Sequence, residues 1–179
     1  MASSTDPSAA APPDQEGPSD FDKLREPLIG RLSMQAVALL FAAVFVLVGI
    51  LGFLPGITQH LLFSTGPRFS GEHSHAMLFG VFMVSVLHNL VHIAYGAIGA
   101  VASFFAGTVR VYFFAGGLVY LALFVYGLVI DQHTAANFVP VNTADNFLHL
   151  GLGLLMILTG LVLHVRLNRM SAEEVRDSE

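Results

Sequence analysis

Between Arg31 and Glu72, and again between Arg110 and Ile130, the chain carries no carboxylate. Apolar runs of this length leave few options, because a backbone in hydrocarbon must satisfy its own N–H and C=O groups, as helices and closed barrels do. With 54% hydrophobic and 12% charged residues and a mean hydropathy of +0.68, the 179 residues are too apolar for an ordinary soluble domain. The runs therefore read as holding membrane-spanning helices, for which a bilayer core requires roughly 20 residues.

Four spans are expected, at about 33–53, 74–105, 111–130 and 143–165. Leu54-Pro55-Gly56 ends the first, since proline breaks the helix ladder and glycine supplies a turn. Residues 57–73, with Gly-Pro and Ser-Gly punctuation, read as a loop. The second segment is longer than the hydrocarbon is thick, so it should tilt strongly or leave the bilayer near Gly96 and Gly99. Gly107-Thr108 is a short turn, and 131–142 is a loop around Pro140. Residues 1–30 form a disordered or weakly structured tail, not a signal peptide, with Pro27 and Gly30 marking a break before the first span. The membrane domain covers 31–167, a polar tail follows over 168–179, and no internal repeat is apparent.

The fold class is thus an all-α integral membrane protein, a four-helix bundle running up-down-up-down. Lys23, Arg25 and Arg31 precede the first span, Arg110 follows the second and Arg166, Arg169 and Arg176 follow the fourth; only Arg68 falls in either remaining loop. The positive-inside rule then puts both termini in the cytoplasm of a cell inner membrane. Small residues supply contact stripes: Ala42 and Gly49 in the first span, Gly116 and Gly127 in the third, Gly153 and Gly160 in the fourth.

Net charge is −5 and the acids gather in the tails, so no basic patch exists for nucleic acid. Without cysteine there are no disulfides, thiolate ligands or Cys nucleophiles.

One stretch breaks the apolar pattern. Ser85, His88, Asn89 and His92 stand at i, i+3, i+4 and i+7, so on a helix they share a face that must point into protein. Tyr95 extends it, and Tyr120 of the third span lies at a similar depth. Hydrogen bonds from this face would cross-link the helices. His88 and His92 are the only paired metal-ligand candidates within the membrane, and no carboxylate joins them at their depth, so no metal is predicted. A helix from Ser74 would bury His88 about 20 Å deep against about 10 Å for His149, which argues against a haem held between them.

A second constellation opens the fourth span. Asn142 suits an N-cap and Asp145 the reciprocal acid of a capping box, with His149 one turn on. With His73 and His75 these three residues make a candidate outer-face site.

Three motifs carry a resemblance: Gly-Ile-Leu-Gly-Phe-Leu-Pro-Gly-Ile-Thr, Val-Leu-His-Asn-Leu-Val-His, and Asn-Phe-Val-Pro-Val-Asn-Thr-Ala-Asp-Asn-Phe-Leu-His-Leu-Gly-Leu-Gly. Over about residues 31–165 the chain resembles a bacterial four-helix membrane family catalogued as domain of unknown function 4383. The resemblance implies a bacterial cell membrane and four spans, and supplies no activity.

Three functions stay open. The first is a non-enzymatic accessory or assembly subunit with a polar His/Asn/Ser core, its partners the bilayer and another membrane protein or a second copy. The second is a redox protein binding haem, metal or quinone through His88 and His92, although no cofactor is predicted. The third is a small proton-coupled carrier. Without a nucleophile–base–acid set or a phosphate loop, an enzyme is not expected.

Overall fold

The computed structural model describes residues 20–60 and 74–176, with side chains from Ser33 onward. Four helices make the body: α1 (Asp20–Leu51), α2 (Val86–Ala102), α3 (Ala106–Val129) and α4 (Thr143–Arg176). Three contain stretches long and apolar enough to cross a membrane, Ser33–Leu51, Gly107–Val129 and Thr143–Glu173. About two thirds of each such stretch faces outward. Leu40, Leu47, Leu118, Leu128 and Leu158 are among the exposed side chains, as helices solvated by lipid would present them.

The first 19 residues of the disordered or weakly structured tail expected over 1–30 lie outside the described residues. No break follows. Helix α1 begins at Asp20 and runs through Pro27 and Gly30, where proline forfeits only one ladder bond. At the other end α4 carries the polar tail to Arg176 as helix.

The larger departure is in the second segment. The expected helix over 74–105 is divided: β2 (Ala76–Leu78) and β3 (Phe82–Val84) form an antiparallel hairpin, and α2 starts only at Val86. With β1 (Thr58–Gln59) on its other edge, the hairpin makes a three-stranded sheet, so the expectation of an all-helical chain holds for the bundle but not for this end. Phe79 and Gly80 turn the hairpin at φ 54° and 71°. Its inner face packs Ala76, Leu78 and Val84 on Val48, Leu51 and Phe53 at the end of α1. At 17 residues, or about 25 Å, α2 is at the short end of what spans a bilayer.

Helix α1 pairs mainly with α2, and α3 with α4. Close approach needs glycine in both pairs. Gly49 meets the backbone of Asn89 and Ile93, and Gly96 that of Ala42 and Val46. In the second pair Gly117 meets the Gly153 carbonyl and Gly153 meets Leu121. Each pair also seats an asparagine amide against a glycine: Asn89 on Gly52, Asn146 on Gly127.

These parallels amount to an internal repeat that was not apparent along the sequence. Counting back from Gly52 and from Gly127, Phe45 matches Tyr120, Ala42 matches Gly117, Ala38 matches Phe113 and Met34 matches Val109, and all of these are buried. In the partner helices Asn89, His92 and Gly96 match Asn146, His149 and Gly153, a shared Asn-x-x-His-x-x-x-Gly. The two helix pairs share one pattern of buried and glycine positions. The repeat eludes a reading of residue identities because most of it is kept as burial and spacing.

Candidate functional site

Ser85 stands just before α2 rather than within it. It is the N-cap, in extended conformation, and its hydroxyl accepts from the His88 N–H at 3.1 Å. The cap fixes where the helix starts, so His88 and Asn89 fall in the first turn and His92 in the second. His88 therefore lies near the hairpin end of the bundle rather than at mid-depth, level with His149, which is seven residues into α4 from its own cap. The depth mismatch expected from a helix starting at Ser74 does not exist.

The result is one cluster of three imidazoles. His88 stacks on His92 at 4.5 Å between ring centres, 9° from parallel, and lies 6.5 Å from His149 at 20°. Tyr120 stands 5.5 Å from His149, and its hydroxyl is 3.5 Å from His92 Nε2. Phe45 holds the matching place in the other half, 5.9 Å from His92 and stacked on Tyr120 at 5.7 Å. Tyr95 packs edge-on to Phe45 and donates to the Tyr112 carbonyl at 3.0 Å.

His88 and His149 are 9% and 2% exposed, yet the Nδ1 of each has no hydrogen-bond partner, nor has Asn89 Nδ2. Two hydrogen bonds do run between this face and α3, from Tyr95 to the Tyr112 carbonyl and a longer one between Tyr120 and His92 Nε2, whereas α1 meets α2 and α3 meets α4 by close packing at glycine. Imidazole lone pairs lie in the ring plane, so rings meeting by their faces do not aim them at one point. Among the described residues no three His, Asp or Glu side chains are placed to hold a metal ion.

The expected outer-face site comes apart. His149 belongs to the imidazole cluster, His75 is exposed with φ 39°, and His73 lies outside the described residues. Asn142 and Asp145 do form the capping box: Asp145 N–H donates to Asn142 Oδ1 at 3.0 Å and Asn142 N–H to Asp145 Oδ2 at 2.9 Å. They also clamp the hairpin, which the sequence did not suggest. Met83 N–H donates to Asp145 Oδ2 at 3.0 Å, and the Asn142 amide donates to the Val81 carbonyl at 2.8 Å. With its carboxylate so engaged, Asp145 makes no bond to His149.

Beside the cluster lies a cavity of about 430 Å³ between α2, α3 and the loop after α3. His88, His92, Tyr95, Tyr120 and His149 line it together with Leu87, Val91, Val119 and Leu123. Phe138, Val139 and Pro140 close one side. That loop is held rigid by Asn137, wholly buried, whose amide donates to the Gln132 and Val141 carbonyls at 3.1 Å and accepts from Val141 N–H at 2.9 Å. Sequence reasoning missed the loop's part in the site, and separated His149 from His88 and His92. The repeated Asn-x-x-His-x-x-x-Gly was the signal that sets His92 and His149 at one height.

No curated protein and no solved structure matches the chain. The family model described as domain of unknown function (DUF4383) matches residues 35–162, which takes in the glycine contacts, all three histidines and the Asn137 loop, and the chain belongs to that family.

Proposed function

We propose that this is a non-enzymatic accessory protein of the cell inner membrane that binds a lipid-phase molecule in the cavity beside the imidazole cluster. The observation that carries the reading is the cavity itself: an almost wholly apolar space, of the size typical of small-molecule sites, ending on a few convergent polar rings. Val91 and Val119 line it and are also more than half exposed on the outside of the bundle, so a ligand would enter sideways from lipid. Val119→Trp puts a bulky ring into that entrance. Organic extracts of the wild-type protein, purified in mild detergent, should contain a bound lipid-soluble compound that is depleted about tenfold in the variant, for a lost affinity of about 1.4 kcal/mol. Equal amounts in the two extracts would overturn the reading.

The orientation we propose is up-down-up-down with both termini cytoplasmic, on the strength of Arg110 near the start of α3 and Arg166, Arg169 and Arg176 in α4. A reporter fused after Glu179 should therefore signal cytoplasm and one inserted at Ala136 the opposite side. The reverse pattern would invert the protein in the membrane.

A further inference from the structure

We propose that the cavity's ligand carries a hydroxyl on an aromatic ring, a lipid-soluble phenol or quinol, and that this hydroxyl bridges Tyr120 and His92. The proposal rests on the cavity being a ligand site and goes on to specify what it selects.

The tautomer of His92 decides the chemistry. Its Nδ1 is 3.0 Å from the His88 carbonyl oxygen. A carbonyl can only accept, so Nδ1 carries the proton, and in the neutral ring Nε2 is left as a lone pair. That lone pair faces the Tyr120 hydroxyl at 3.5 Å, beyond the usual range of a hydrogen bond. Both residues line the cavity. The pair is therefore slack, with an acceptor and a rotatable donor side by side at the edge of an open space.

A ligand hydroxyl satisfies both at once: its O–H donates to His92 Nε2 and its oxygen accepts from the Tyr120 O–H. A ketone, quinone or ether oxygen can take the Tyr120 proton, but it sets a lone pair or a methyl group against Nε2. The site thus discriminates by the ligand's proton, since a polar group left unpartnered away from water is costly. The aromatic part follows from the walls. His88 and His92 lie parallel, with Tyr95 and Tyr120 alongside, and such surfaces favour a flat ring. A phenolic O–H is also more acidic than an aliphatic one, and so a stronger donor to imidazole.

The test is calorimetric titration of the detergent-purified full chain with 4-hexylphenol and with 4-hexylanisole, which differ by the proton at issue. The wild type should prefer the phenol by about tenfold, the worth of one well-made hydrogen bond. His92→Phe should bring that ratio to about one, because the acceptor is gone. Tyr120→Phe, which keeps the ring, should weaken both probes alike and preserve the ratio. A wild-type ratio near one, or a ratio that survives His92→Phe in a folded variant, overturns the proposal while leaving the cavity a binding site. If neither probe binds the wild type, and Val119→Trp changes nothing, the ligand-site reading itself fails.

Discussion

Gly96→Ala should destabilise the bundle by about 3 kcal/mol, at the upper end of what overpacking ordinarily costs. The added methyl would lie 2.7 Å from the Ala42 carbonyl oxygen and 2.9 Å from Val46 N. Both are backbone atoms of α1, so no side chain can swing aside, and the helix itself must move. Gly49, facing Asn89 O at 2.7 Å and Ile93 N at 3.0 Å, makes the same contact from the other helix and should behave alike. The control is Gly151→Ala. Nothing lies within 4 Å of a Cβ there, and alanine should stabilise α4 by up to about 1 kcal/mol through helix propensity alone. Circular dichroism melts of the three variants in one detergent make the comparison. If Gly96→Ala melts with wild type, α1 and α2 do not meet as closely as described.

Asp145→Ala should be as damaging, at about 3–5 kcal/mol, because the lost carboxylate takes two charge-assisted bonds with it, one of them the reciprocal half of the capping box. Asp145 is 2% exposed, so the Asn142 and Met83 N–H groups would be stranded where little water reaches. The damage should spread beyond α4. Met83 sits in the middle of β3, opposite Met77, so its amide anchors the hairpin to the bundle. Hydrogen exchange should therefore quicken at Met83 and at Asn142 in Asp145→Ala, whereas a cap acting on α4 alone would leave Met83 protected. Both bonds end on Oδ2, so Asp145→Asn can keep both with a neutral oxygen and should recover about half of the loss, since a charge-assisted bond is worth roughly twice a neutral one.

The parts of this fold that a sequence reveals are those where spacing and residue type agree. Asn142 and Asp145 sit three apart at the mouth of an apolar run, and the cap they make is the one their chemistry suggests. The hairpin was hidden for the opposite reason. Ala76-Met77-Leu78-Phe79-Gly80-Val81-Phe82-Met83-Val84 is apolar throughout, and such a run suits a buried strand and a helix equally well. Gly80 was the only punctuation, and a lone glycine in a membrane segment passes unnoticed. That one ambiguity displaced the site. Starting the helix at Ser74 instead of Val86 sinks His88 far below His149, and a cluster of three rings is read as two unrelated constellations. Cavities are harder still, since the Phe138–Pro140 wall belongs to a loop whose shape is set by Asn137 bonds that no periodicity announces.

The shared pattern of the two helix pairs has a consequence at the centre of the bundle. Phe45 and Tyr120, at corresponding places in the two pairs, stack on each other, so a difference between the halves is felt there directly. Phe45 answers Tyr120, and His88 answers Asp145. At the first of these positions one half offers hydrocarbon and the other a hydroxyl. At the second, one half turns an imidazole toward the cluster and the other spends a carboxylate on the hairpin. His92 and His149 are the same residue twice, yet the Tyr120 hydroxyl faces His92 Nε2 at 3.5 Å while His149 Nδ1 has no hydrogen-bond partner. Those two differences place a hydroxyl and an imidazole where the other half has hydrocarbon and a carboxylate bound to the hairpin, so the polar corner is built from unlike contributions of the two pairs.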